Sequence, residues 1–162
     1  MLKYVESEIV FREIPDEITL AINISGCPNH CPSCHSKHLW EDIGKPLTRY
    51  SLRELLKANR GISCVCFMGG DQDPAAINYL AEDLKRSPLY EGLKIGWYSG
   101  KSNIPDNINI GNFDYIKTGP YIEEKGPLNN PNTNQVLYEV CRISKLPPRF
   151  ILKDITSVFW NQ

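Results

Sequence analysis

The sequence predicts an α/β fold built on a mainly parallel sheet, and three observations carry that expectation. Apolar runs of strand length alternate with stretches of helical spacing, the pattern of parallel strands joined by crossover helices. The 162 residues are enough for one domain but not for a closed eight-unit β/α barrel of about 250 residues. An open, partial β/α barrel or a short doubly wound sheet therefore remains. Finally, the chemically unusual residues follow the predicted strands, and both architectures collect function at the carboxyl ends of their strands.

The elements follow in order. Residues 18–24 (ITLAINI) are β-branched and apolar enough for a buried strand, which runs directly into SGCPNHCPSC. Residues 51–60 read as a helix: Ser51 is placed to cap it, Leu52, Leu55 and Leu56 share a face, and Gly61 stops it. Residues 62–68 (ISCVCFM) form a second strand ending at Gly69-Gly70. Residues 74–86 open with proline in the first helical turn and repeat Ile77, Leu80, Ala81 and Leu84 at helical spacing. Residues 93–98 are a third strand closed by Ser99-Gly100, and 113–117 a fourth closed by Thr118-Gly119-Pro120. GPLNNPNTNQ reads as a surface loop, and 135–142 as a further strand; from 150 onward the chain is too short and mixed to assign. No internal repeat or long linker interrupts a single domain over 1–162, with a core at about 18–138 and an extension over 139–162.

Composition narrows the function classes. Apolar residues make up 41% and charged residues 23%, which suits a folded chain with a real core. The 18 basic and 19 acidic side chains give a net charge of -1, so nothing favours a nucleic acid or an anionic membrane as partner. Glu6, Glu8, Arg12, Glu13, Asp16 and Glu17 leave the first residues without the apolar core of a signal peptide. No stretch approaches the ~18 consecutive apolar residues of a membrane span. The expected compartment is the cytoplasm, with reduced thiols.

The cysteines sharpen this. Cys27, Cys31 and Cys34 fall in one short window with C-x3-C-x2-C spacing, and His30, His35 and His38 lie in or just after it. Crowded thiolates and imidazoles suit a metal site better than a disulfide framework, which spreads its cysteines to close long loops. Three thiolates can hold three corners of an iron–sulfur cube and leave one iron open. A Cys3His zinc site completed by His35 or His38 is the competing assignment, and unliganded thiols the plainest one. Pro28 and Pro32 stiffen the loop. Cys64 and Cys66, two apart in a strand, read as small buried hydrophobes on one face, and lone Cys141 as structural. Trp97, Tyr98 and Trp160 read as packing residues.

The window resembles the signature of the radical S-adenosylmethionine (radical SAM) enzymes. More narrowly, the chain is similar to the small activating proteins of anaerobic ribonucleoside-triphosphate reductase. The shared stretches are SGC-PNH-CPSCH with Trp40 following, FMGGD at 67–71, WYSGK at 97–101, DYIKTGPY at 114–121 and TNQ at 133–135. Two details depart: Ser33 stands where an aromatic residue is frequent, and Gly69-Gly70-Asp71-Gln72-Asp73-Pro74 displaces the usual Glu or Asp-Pro.

The resemblance implies a partial barrel of the radical SAM type and a [4Fe-4S] cluster on Cys27, Cys31 and Cys34. It implies S-adenosyl-L-methionine on the open iron and cofactor contacts from Pro32, Ser33, Cys34, Gly69, Gly70, Asp71, Ser99 and Gly100. Gly69-Gly70 would meet the methionyl amino group, Ser99 and Gly100 the ribose or carboxylate, and Thr118-Gly119-Pro120 the adenine end or a simple turn. No catalytic residue beyond the cluster ligands is required. The implied activity is reductive cleavage of S-adenosylmethionine to a 5′-deoxyadenosyl radical, which leaves a glycyl radical on the large reductase subunit. An electron donor such as flavodoxin would supply the electron. An open barrel would let a protein loop reach the site. Another radical SAM enzyme, acting on a different glycyl-radical protein or a small molecule, and a non-catalytic zinc module are the alternatives.

Overall fold

Buried, β-branched runs form the middle of one eight-stranded sheet in the computed structural model, which describes residues 1–161. The strands are β1 (Lys3–Val10), β2 (Thr19–Ile24), β3 (Lys45–Pro46), β4 (Cys64–Met68), β5 (Lys94–Tyr98), β6 (Tyr115–Thr118), β7 (Val136–Lys145) and β8 (Pro148–Asp154). They lie in the order β3-β1-β2-β4-β5-β6-β7-β8. The α-helices are α1 (Arg49–Ala58) and α2 (Pro74–Arg86).

This corrects the expected architecture. The sheet is mixed, not mainly parallel: β2, β4, β5 and β6 pair in parallel, whereas β1–β2, β1–β3, β6–β7 and β7–β8 are antiparallel. Nor is it a partial β/α barrel of the radical SAM type. Such a barrel needs a crossover helix after each strand, and among the described residues only two α-helices occur, joining β2 to β4 and β4 to β5. Residues between β5 and β6 form only a 3-10 turn at Ile110–Asn112, and the chain then returns antiparallel through β7 and β8. Among the described residues no helix is long and apolar enough to cross a membrane.

Local chemistry explains the elements and where they begin. Helix α1 starts two residues before Ser51. Thr48 is its cap, accepting from Ser51 N, while the Ser51 hydroxyl accepts from Thr48 N to complete a capping box. Helix α2 begins at Pro74 behind an Asp73 cap whose carboxylate accepts from Ala76 N. The sequence predicts no strand over 3–10; β1, flanked on its outer side only by the two-residue β3, has half-exposed or exposed residues throughout, so burial writes no clear alternation into it.

Both faces of the sheet centre are covered. On one, Leu20, Ile22 and Ile24 of β2, Val65 and Phe67 of β4, Ile95 and Trp97 of β5, and Ile116 of β6 pack against Leu52 and Leu56 of α1 and Ile77, Leu80 and Leu84 of α2. Fully burying each such side chain contributes about 1.5–3 kcal/mol. On the other, Cys64 and Cys66 lie with Ile14, Leu137 and Phe159. Burial pushes the Cys64 thiol up to about 12 and the Cys66 thiol well above its ordinary value, so both stay protonated and inert. Trp97 is fully buried in the core; Trp160, expected to pack as well, is 40% exposed, its indole N–H donating to the Leu128 carbonyl.

In the folded, metal-free protein, iodoacetamide at mild alkaline pH is expected to modify the half-buried Cys27, Cys31, Cys34 and Cys141 and to spare Cys64 and Cys66 until denaturant is added. Peptide mass spectrometry reads the pattern; native modification of Cys64 or Cys66 would contradict the burial described.

Candidate functional site

Parallel pairing sends the ends of β2, β4, β5 and β6 to one sheet edge. Four loops start there: 25–36 with the clustered cysteines, Gly69-Gly70-Asp71, Ser99-Gly100 and Gly119-Pro120. Backbone bonds knit them at their roots, from Gly69 N to Tyr98 O at 3.0 Å and from Ser99 N to Lys117 O at 2.9 Å.

The cysteine loop leaves β2 through buried Ser25 and is pinned by Gly26 N to Glu41 O and Cys27 N to Leu39 O. It contains two non-glycine residues in the left-handed region, His30 at φ 43° and Ser33 at φ 62°. Cys27, Cys31 and Cys34 are half-buried. Ser36 N–H points at Cys34 Sγ at 3.4 Å, and the Asn29 amide lies 3.7 Å from Cys27 Sγ. The histidines turn outward: His30 stacks on Trp40 at 4.6 Å, His35 tilts against Tyr121 at 5.3 Å, and His38 approaches Glu6 at 3.7 Å. Pro32 and Ser33 are exposed, and the Ser33 hydroxyl donates to Glu123 at 2.7 Å.

The neighbouring turns are built for close approach. Gly69 and Gly70 have φ of 110° and 92°, which glycine adopts without strain. A Cβ at Gly70 would lie 2.5 Å from Ile77 Cδ1 of α2. The Trp97 indole donates to the Gly69 carbonyl at 2.8 Å and fixes the turn from below. Asp71 does not point away: one oxygen accepts from Ser99 Oγ at 2.5 Å, the other from Gly100 N at 2.7 Å and Asn29 Nδ2 at 2.6 Å. The Ser99 hydroxyl and Gly100 N–H, expected to face a cofactor, are thus engaged inside the protein.

Lys117 joins the candidate site without having been singled out in the sequence, although a cation in the apolar run YIKT is a visible signal. It is only 8% exposed and donates to Ser99 O at 3.1 Å and Gly119 O at 2.8 Å. Burial lowers its ammonium to about 8, opposed by the Asp71 carboxylate and by the sulfurs of Cys31 and Cys27. A positive charge beneath the thiols is therefore part of the site.

By chemical type the donors are those of a soft, thiolate-bound metal or an iron–sulfur cluster, with three sulfurs on one loop, N–H groups directed at two of them and a buried cation nearby. Among the described residues no three Cys, His, Asp or Glu side chains stand close enough to enclose a metal ion. Two buried polar atoms without partners, Trp40 Nε1 beside His30 and Asn134 Oδ1 of the residue bonded to Pro120, flank the same edge.

No protein-family model, curated protein or solved structure matches the chain.

Gly70→Ala is expected to lose more than about 1 kcal/mol of stability in a denaturant titration, because its Cβ meets Ile77 in a left-handed backbone. Lys117 gives a pH signature. Its folded value near 8 lies below the ordinary 10.5, so between these values the unfolded chain holds the extra proton and stability rises with pH. The cost of the buried charge is fully present below about 8. Lys117→Met should lack this rise, so the difference between the two pH–stability curves should change across this window; parallel curves would contradict it.

Proposed function

We propose that the chain is a radical SAM activase: it binds a [4Fe-4S] cluster and S-adenosylmethionine and generates a glycyl radical on anaerobic ribonucleoside-triphosphate reductase. The observation that carries the reading is the three-thiol loop at the carboxyl edge of the parallel strands, packed against the Gly69-Gly70 and Ser99-Gly100 turns. The ordered resemblance over residues 18–138 supports the choice of this activity among metal-thiolate chemistries.

When bound, the cluster and S-adenosylmethionine supply one-electron cleavage of the S–C5′ bond and, through it, removal of a hydrogen atom from a glycine of the partner. The chain's own task is to ligate, orient and exclude water. Cys27, Cys31 and Cys34 would hold the iron as thiolates. Buried Lys117 offsets negative charge gathered beneath the loop, and the N–H groups of Asn29 and Ser36 take up charge on two sulfurs. Gly69 and Gly70, free of side chains, let a cofactor approach the backbone. Asn134 Oδ1 offers a buried acceptor to an amino group near the Pro120 turn.

Anaerobic reconstitution tests the reading. The protein should take up iron and sulfide and, with a reductant, convert S-adenosylmethionine to methionine and 5′-deoxyadenosine. Cys27→Ala, Cys31→Ala and Cys34→Ala should each abolish product, whereas Cys66→Ala should retain it. A colourless protein that holds one zinc and forms no 5′-deoxyadenosine would overturn the enzyme reading in favour of a zinc module. Cleavage that leaves the large reductase subunit without a glycyl radical would shift the partner and not the chemistry.

A further inference from the structure

We propose that Asp71 is a clasp that sets the cysteine loop for metal ligation, acting through the Asn29 amide and not by touching the metal or cofactor. The inference rests on Cys27, Cys31 and Cys34 being metal ligands, a premise shared by the iron–sulfur and zinc readings.

Three loops converge on this one carboxylate. Ser99 Oγ and Gly100 N bring in the turn after β5, Asn29 Nδ2 brings in the cysteine loop, and Asp71 itself belongs to the turn after β4. The bonds, at 2.5, 2.7 and 2.6 Å, have the short lengths of charge-assisted hydrogen bonds, which are about twice as strong as neutral ones. A carboxylate has about four acceptor sites, so three are already committed.

Asn29 sits between Cys27 and Cys31 and has two amide hydrogens. One can serve Asp71 while the other faces Cys27 Sγ at 3.7 Å. Holding the amide therefore also directs an N–H at a ligand sulfur. The loop needs such a restraint. His30 and Ser33 hold left-handed conformations that cost about 1–3 kcal/mol each and persist only where surrounding contacts impose them. The backbone anchors to Glu41 and Leu39, with Gln72 Nε2 donating to Ser25 O at 2.6 Å, fix the start of the loop, and the Asn29–Asp71 bond ties the stretch between Cys27 and Cys31 across to the β4 and β5 turns. The glycine at 100 belongs to the same device: a Cβ there would overlap the Asn29 amide. Partners outside the ligand shell that orient ligands typically change metal affinity by about 10–100-fold when removed.

The probe is Co²⁺, titrated anaerobically into the metal-free protein and read by thiolate-to-cobalt charge-transfer absorption. Asn29→Ala, Gly100→Ala and Asp71→Ala are each expected to weaken Co²⁺ binding by about tenfold or more. Asp71→Asn, which keeps an acceptor oxygen for the Asn29 amide, should recover most of the affinity. Adding Asn29→Ala to Asp71→Ala should cost nothing further, because the two act as one unit. Thermal melts verify folding, and Asn29→Ala carries the test should Asp71→Ala fail to fold. Binding within about twofold of the unsubstituted protein in both Asn29→Ala and Gly100→Ala would overturn the clasp. So would effects of Asn29→Ala and Asp71→Ala that multiply independently. Absence of thiolate-bound Co²⁺ in the unsubstituted protein would overturn the ligand reading itself, and the clasp with it.

Discussion

The parallel register of four strands is the constraint on which the rest depends. Asn23, Met68, Tyr98 and Lys117 are consecutive partners across β2, β4, β5 and β6, so they form one row along the edge where the site lies. Everything beyond that row begins at the same height: the cysteine loop, the paired glycines, Ser99-Gly100 and Gly119. A slip of one residue in any strand would turn its core side chains to the opposite face. Aliphatic and aromatic packing on one face and the Cys64–Cys66–Leu137 cluster on the other therefore hold the register, and through it the site.

Charge is arranged around that row. Lys117 ends it, buried, with its hydrogens taken by the carbonyls of Ser99 and Gly119. A buried ammonium is costly without compensation, and the compensation comes from the groups that define the site, Asp71 and the sulfurs of Cys31 and Cys27. Asp71 is in turn bound by Ser99, Gly100 and Asn29, so the charged pair and the loops form one connected network. On the same face as Lys117, the Tyr98 hydroxyl donates to the Glu13 carbonyl, and a cavity of about 520 Å³ opens between Arg12, Tyr98, Leu128, Gln135 and Trp160.

The sequence showed some of this clearly and some not at all. Helix α2 matches its expected bounds, because proline in the first turn and four apolar residues at helical spacing point the same way. The central strands are legible for a related reason: burial on both faces makes them continuous apolar runs. Their parallel order put the unusual loops together. The flanking strands carry no such mark. β1 is half-exposed and acidic, and most of β8 is exposed, so neither pattern separates strand from loop. Missing these antiparallel flanks is what turned a mixed sheet into an expected partial barrel. At the site, the motif residues were visible but their hydrogen-bond partners were not. Nothing in a linear chain tells Asp71 facing a ligand from Asp71 facing Asn29, 42 positions away.

The most direct measurement of the central claim, a three-thiolate site that leaves one metal position open, is the Mössbauer spectrum of ⁵⁷Fe-reconstituted protein with and without S-adenosylmethionine. A single iron environment distinct from the other three, changing when S-adenosylmethionine is added, is the expected result. Equivalent iron sites that ignore S-adenosylmethionine, or failure to incorporate iron while zinc binds tightly, would contradict it.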